Sequence, residues 1–252
     1  MDGRAVNGDS AFAVAFDFDG TVCLGDGPVK AYAEAVCAHL DRDGAAALND
    51  ELERFLACPV DMPKYSDAYD VVQAHAAGRL TAEQSQDAYL RSRRMLAEGT
   101  FDVRPPEGLE SLLERLGVLG CRRVLVTNSP MIGLRETLDR LGVLAGFDGI
   151  IAGAAKPGGW PKVIERLSAV RRRTGELSMM SIGDYWTNDI APVRAAGGLT
   201  AFIHEPDPSL PATITAPTLR QMVDDIVDVC AAATADAGGA GAASSRGRNR
   251  VR

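Results

Sequence analysis

The stretch that most constrains this chain is residues 12–22, FAVAFDFDGTV. Phe12, Ala13, Val14, Ala15 and Phe16 form an uninterrupted apolar run that stops at two carboxylates, Asp17 and Asp19, with Gly20 and Thr21 behind them. A short apolar run bounded by turn residues predicts a strand covered on both faces, as in a parallel sheet with helices on either side. Burial accounts for the apolar residues but not for the aspartates, because charges at the end of a buried strand are costly unless paired or bound to metal. Open α/β sheets bind their ligands beyond the carboxyl ends of the strands. Two carboxylates one residue apart at such an end can share a divalent cation, and one of them can attack an electrophile. The plainer reading of the same residues is a glycine turn between two solvated aspartates.

The rest of the chain is read for parts that would agree with a buried parallel strand. Residues 1–11 are polar and expected to be flexible. After a glycine-rich connector at 23–27, residues 28–98 carry helical apolar spacing throughout: helices over 28–40, 46–58, 65–76 and 81–98, the last opened by a Thr81–Gln84 capping box and closed by Gly99. Beyond Pro105 and Pro106 the pattern changes to alternation. Helices are expected over 107–116, 132–141, 161–173, 187–196 and 218–232, with strands over 123–127, 149–152, 177–182 and 199–203. Five strands alternating with helices predict an α/β fold with a doubly wound, mostly parallel, Rossmann-like sheet. The expected core is 12–24 with 105–233, interrupted by an inserted all-helical cap at 25–104. Residues 234–252 are Ala, Gly, Ser and Arg without an apolar period and are expected to form a disordered basic tail.

Charge and cysteine usage exclude some classes of function. The chain carries a net charge of −7, although its last nineteen residues hold four arginines against one aspartate, so the body is the acidic part. An acidic body argues against nucleic-acid binding but not against a small anionic substrate. The five cysteines show no CxxC spacing, which fits reduced thiols and a cytoplasmic setting. No apolar run approaches the ~18 residues of a membrane span, and the N-terminus lacks a signal pattern, so no membrane partner is expected.

Three further strand ends carry polar residues. Thr127 closes the strand RVLVT and is followed by Asn128 and Ser129; a hydroxyl and the next backbone N–H there can hold a phosphate oxygen, and a polar strand end is also simply common. Lys156 follows the third strand and precedes Pro157, either as a loop lysine or as a cation that offsets nearby carboxylates and attracts phosphate. Residues 183–189 read GDYWTND, a strand ending in Gly-Asp with a second carboxylate, Asp189, five residues after Asp184. Thr187 or Asn188 can cap the following helix with Asp189 in its first turn, and capping is compatible with catalysis.

Taken in order, DFDGTV, the strand ending at Thr127, Lys156-Pro157 and GDYWTND resemble the four motifs of the haloacid dehalogenase-like superfamily in its phosphatase branch. The resemblance covers about 12–24 and 105–233, and the helical insert has the position of a C1-type cap over the active site. It implies a Mg²⁺-dependent phosphatase acting on a small phosphorylated metabolite through an aspartyl phosphate. Asp17 is then the nucleophile and Asp19 the general acid and base. Thr127, Asn128 and Lys156 hold the phosphate oxygens. Asp17, the Asp19 backbone carbonyl and Asp184 ligate the metal, with Asp189 supporting its water shell. Asp19 is replaced in true dehalogenases and in phosphonate hydrolases, so its presence disfavours both. A phosphotransfer mutase of the same superfamily and a catalytically silent binding protein on this fold stay open. Lys64, Tyr65, Tyr69, Arg91 and Arg94 in the helical insert are read as solvated or packing residues, and Trp160 and Trp186 as packing residues.

Overall fold

β1 (Ala13–Phe16) is buried along its whole length, as its unbroken apolar sequence requires. The fold around it comes from a computed structural model that describes residues 12–65, 67–167 and 177–245. β2 (Arg122–Val126), β3 (Gly149–Ile151), β4 (Met179–Gly183), β5 (Leu199–Ile203) and β6 (Ile214–Ala216) join β1 in a parallel sheet of order β3-β2-β1-β4-β5-β6. The chain winds outward from β1 through β2 to β3, then returns to the other side of β1 for β4. The strand order therefore reverses between β1 and β4, which is where open α/β sheets bind ligands. Phe16 is level with Leu125 on one side and Ile182 on the other, which brings the ends of β1, β2 and β4 together.

The helices of this unit are α5 (Leu109–Val118), α7 (Trp160–Leu167), α8 (Ala191–Ala195) and α9 (Leu219–Ser245). One side of the sheet packs Ala13, Ala15, Val124, Val126 and Met179 against Trp160, Val163 and Leu167 of α7. Phe16 is fully buried and meets Phe147 edge to face at 5.6 Å; truncating such a side chain to alanine costs about 3–5 kcal/mol.

The helical unit spans Leu24–Arg104 together with Pro130–Gly142. It holds α1 (Gly27–Cys37), α2 (Arg42–Ala57), α3 (Ala68–Ala76), α4 (Ala82–Glu98) and α6 (Leu134–Arg140). Pro28 opens α1, and Asp41 and Asp67 accept from the third residues of α2 and α3, Gly44 and Asp70. Thr81 and Gln84 make both bonds of the capping box, and Gly99 ends α4 at φ +77°. The core of this unit is Val36, Leu48, Leu52, Val71, Val72 and Ala88. α6 packs on α4, where Gly133 is needed: a Cβ there would stand 2.2 Å from the Arg93 carbonyl oxygen. This contact draws Pro130–Gly142 away from the expected core segment into the helical unit.

Three other expectations are corrected. The sheet gains β6, a strand of three residues between Pro211 and Pro217, too short for periodicity to reveal. α9 continues past Thr234 to Ser245, where a disordered tail was expected; eight of residues 231–243 are alanine, the best helix former, and no proline interrupts them. The expected helix over 187–196 is instead a single π turn, Trp186–Ile190, followed by α8, with the Ala191 N–H reaching back to the Trp186 carbonyl. Residues 1–11, residues 168–173 of the expected third core helix, and 246–252 lie outside the described residues.

Candidate active site

Asp17 is the first residue after β1, and its N–H donates to the Ile182 carbonyl at 2.9 Å, which fixes the backbone at the mouth of the switch point. Asp184 follows β4 on the neighbouring strand. Asp189 comes from the π turn, where its carboxylate accepts from the Tyr185 N–H at 3.2 Å. Single-turn π segments recur at functional sites because they re-aim one side chain without breaking the helix. Oxygens of Asp17, Asp184 and Asp189 all lie within 4.8 Å of one another.

Lys156 enters the cluster from the loop after β3. Its ammonium stands 2.6 Å from Asp17 Oδ1 and 2.5 Å from Asp189 Oδ1, and the side chain is almost wholly buried. Its position is set by Asn128, whose side chain clasps the Lys156 backbone: the Lys156 N–H donates to Oδ1 at 2.6 Å and Nδ2 donates to the Lys156 carbonyl at 3.1 Å. Ala155, just before, adopts φ +54°, a left-handed conformation that a non-glycine residue holds only where the surroundings impose it. Thr127 Oγ1 accepts from the Ser129 N–H at 3.0 Å, so its own proton is left to donate elsewhere. The Ser129 hydroxyl donates to Asp19 Oδ2 at 3.0 Å and so orients that carboxylate.

The candidate site residues Asp17, Asp19, Thr127, Asn128, Lys156, Asp184 and Asp189 thus lie just beyond β1, β2 and β4, in the loop after β3 and in the π turn. Sequence reasoning missed the supporting ones. Ser129 on Asp19 is one; the side-chain clasp of Asn128, which turns its amide onto the Lys156 backbone, is another. Thr21 Oγ1 reaches Asp184 Oδ1 at 3.4 Å. Gly20 matters by what it lacks, since a Cβ there would stand 1.9 Å from Asp184 Oδ2. Only Ser129 and Thr21 left a sequence signal, as hydroxyls beside motif residues. Trp160 is buried, its indole N–H bonded to the Asn188 carbonyl, and Trp186 packs edge-on against Phe202 at 5.5 Å.

The electrostatics are those of an acid-rich pocket. Burial, then the nearby Asp189, pushes the Asp17 carboxyl well above the usual range, while Lys156 opposes them. Burial and Asp189 likewise push Asp184 up to about 6. Asp189 is raised by burial against the pull of Lys156. Burial of Lys156 favours the neutral amine, yet Asp17 and Asp189 hold it above its ordinary value. Three crowded carboxylates beside a single ammonium leave negative charge in excess. The donor set is entirely oxygen, which suits a hard divalent cation such as Mg²⁺.

Among the described residues no helix is long and apolar enough to cross a membrane. A search of the curated proteins found no match. Several solved structures share the fold. The magnesium-bound YfnB of Bacillus subtilis is 18% identical, with a TM-score of 0.54 over 87% of this chain and 98% of that one. A phosphatase from Thermococcus onnurineus is 23% identical, with a TM-score of 0.53 over 85% and 97%. CbbY from Rhodobacter sphaeroides, in complex with phosphate, is 17% identical, with a TM-score of 0.56 over 83% and 95%. The family model for haloacid dehalogenase-like hydrolases matches residues 13–197, nearly three-quarters of the sequence, and the chain belongs to that family of hydrolases.

Proposed function

We propose that the protein is a Mg²⁺-dependent phosphatase that hydrolyses a small phosphate monoester through an aspartyl phosphate on Asp17. The observation that carries this reading is the convergence of Asp17, Asp184 and Asp189 within 4.8 Å, with Lys156 seated 2.6 Å from Asp17. The magnesium-bound and phosphate-bound relatives of the same fold support it. Asp17, the backbone carbonyl of Asp19, and Asp184 would hold the cation, with Asp189 steadying its water shell. When bound, the cation offsets the surplus of carboxylate charge and polarises a phosphoryl oxygen.

The chain's own residues do the rest. Lys156 favours the ionised form of Asp17, which burial and Asp189 oppose, so that Asp17 is available as a nucleophile. Asp17 Oδ attacks phosphorus, and the bond to the ester oxygen breaks. Asp19, aligned by Ser129, gives its proton to the departing alkoxide. Thr127 Oγ, the Asn128 N–H and Lys156 hold the equatorial oxygens where charge gathers. Asp19 then takes a proton from water as that water attacks phosphorus, which releases phosphate and restores Asp17.

The test is turnover of an aryl phosphate such as p-nitrophenyl phosphate. Activity is expected with Mg²⁺ and is expected to vanish after chelation and return on adding the ion. Full activity in metal-stripped protein would overturn the reading. A thermal shift with beryllium fluoride and Mg²⁺ together, larger than with Mg²⁺ alone and absent in Asp17→Asn, is the matching test of the covalent step.

A further inference from the structure

In an α-helix the Asn188 carbonyl would receive the N–H four residues on, but that residue is Pro192, which has none. The chain here runs as a π turn instead, with the Ala191 N–H reaching back five residues to the Trp186 carbonyl. The Asn188 carbonyl takes its donor from outside the turn: the indole N–H of Trp160, 28 positions away. Asn188 immediately precedes Asp189, whose carboxylate holds Lys156 at 2.5 Å and accepts the Tyr185 N–H. Trp160 opens α7 only four residues after Lys156. The loop between them closes on itself, with the Gly159 N–H on the Ala155 carbonyl at 2.7 Å and the Trp160 N–H on the Pro157 carbonyl at 3.3 Å. One side chain from the lysine's own loop is thus bonded beside the aspartate with which that lysine pairs.

We infer that Trp160 is a positioning residue of the active site: its indole N–H fixes the register of the π turn and so keeps the Asp189 carboxylate on Lys156 and at the cation site. Tryptophan suits this task because its ring fills the core beside Ala13, Val124 and Val163 while its single polar atom is a donor only. Phenylalanine would fill much of that space and donate nothing. A buried carbonyl without a donor is costly, so the π register is favoured while Trp160 supplies one. When the bond is deleted the turn can relax, and a shift of one residue in helical register swings a side chain by about 100°. Such a swing carries the Asp189 carboxylate off Lys156, which then keeps only its bond to Asp17. What Asp189 does for the cation rests on the phosphatase reading; where Trp160 holds Asp189 does not.

The test begins on the metal-free full chain and needs no turnover. Of the four lysines only Lys156 is buried, so in ¹⁵N-labelled protein its ammonium should give a signal protected from exchange, while those of Lys30, Lys64 and Lys162 are lost to water. Trp160→Phe should abolish the Lys156 signal. Val163→Ala, which removes volume from the same core cluster and has no polar group to take from the π turn, should lower Tm and leave the signal in place. The second readout is the Mg²⁺ concentration at the midpoint of the thermal shift. It should rise at least about tenfold in Trp160→Phe, the scale of loss when the support behind a metal ligand is removed, and stay unchanged in Val163→Ala. A Trp160→Phe protein with a lower Tm but the Lys156 signal and the Mg²⁺ midpoint of wild type would make Trp160 a packing residue and overturn the inference. If that variant does not fold, wild type decides: the Trp160 indole proton should resonate well downfield of the ordinary indole range, and an ordinary shift would overturn the inference. A wild type that does not respond to Mg²⁺ would count against the phosphatase reading instead, and the Lys156 signal would still decide the role of Trp160.

Discussion

Two partly buried carboxylates, Glu51 in the helical unit and Asp184 in the α/β unit, are driven in opposite directions by their surroundings. Glu51 receives the Lys64 ammonium at 2.7 Å on one oxygen and faces His75 Nε2 at 2.7 Å on the other. Those two bonds, with Tyr65 adding to them, hold its carboxyl down to about 2. Asp184 has a 3.4 Å contact from Thr21 and stands beside Asp189; burial and that neighbour push it up to about 6. A carboxylate whose ionised form is satisfied by donors fastens α2 to α3 and the segment between them. A carboxylate whose ionised form is opposed by its own fold is held in a state that a cation would relieve. The direction of the shift separates a fastening from a site where residue type alone would not.

The contrast breaks most visibly in activity. Asp17→Asn should lower kcat on an aryl phosphate by at least about a thousandfold, the scale seen when a nucleophile that acts in concert with its neighbours is removed. Glu51→Gln should leave kcat within about twofold, since a change in a fastening away from the reacting atoms acts through stability. Steady-state kinetics of the two purified variants at saturating Mg²⁺ compares them directly. An Asp17→Asn protein with near-normal turnover would remove the carboxylate cluster from the chemistry altogether.

The pH dependence of melting sharpens the same contrast. The folded, metal-free protein keeps a proton on Asp184 up to about pH 6, whereas the unfolded chain releases it near the ordinary 3.8. The share of stability from Asp184 is therefore complete below about pH 4 and lost as pH rises through about 6, and Asp184→Asn should flatten that part of the Tm curve. Glu51 runs the other way: its share is complete above its ordinary 4.5 and lost as pH falls toward about 2. Glu51→Gln should remove that acid-side loss and lower Tm at neutral pH by about 2–4 °C, the scale of ~1 kcal/mol in a chain of this size. Parallel Tm curves for wild type and Asp184→Asn between pH 4 and 6 would erase the distinction.

The two regions were also unequally legible in the sequence. β1, β2 and β4 could be read because each carries a buried apolar run that ends abruptly in a polar residue, at Phe16-Asp17, Val126-Thr127 and Gly183-Asp184. β6 could not, because three residues between prolines have no period. Asp17, Asp19, Thr127, Lys156, Asp184 and Asp189 were visible because a motif needs only local order. The clasp of Asn128 on Lys156 spans 28 positions and the bond from Ser129 to Asp19 spans 110, so these supports exist only once the sheet has formed. In the helical unit the helices showed through their apolar spacing, and the last of them through its caps at Thr81 and Gly99, whereas the Asp41 cap that starts α2 at Arg42, four residues before the expected 46, was missed. The Glu51 fastening did not, because nothing local marks that glutamate as the partner of a lysine 13 positions on and a histidine 24 positions on. The grouping of α6 with α4 was hidden for the same reason: it depends on Gly133 meeting the backbone of Arg93.

The smallest effect tests how the Glu51 fastening is divided between its donors. The Lys64 side chain is 62% exposed, whereas that of His75 is 11% exposed. An exposed ammonium is already well solvated, and its pairing with a carboxylate contributes little after screening and the ordering of a long side chain. His75 faces Glu51 from within the helical unit, where water competes less. Lys64→Met keeps the aliphatic stem that can cover Tyr65 and deletes only the charge, so its Tm should fall by less than about 2 °C at low salt. In high salt that difference should shrink further, because the Lys64–Glu51 attraction is the screened component. His75→Gln should cost more than Lys64→Met and should be insensitive to salt. If Lys64→Met instead matched Glu51→Gln in both size and salt dependence, the fastening would be a surface ion pair, and the contrast with Asp184 would rest on charge pairing alone rather than on the protected contact with His75.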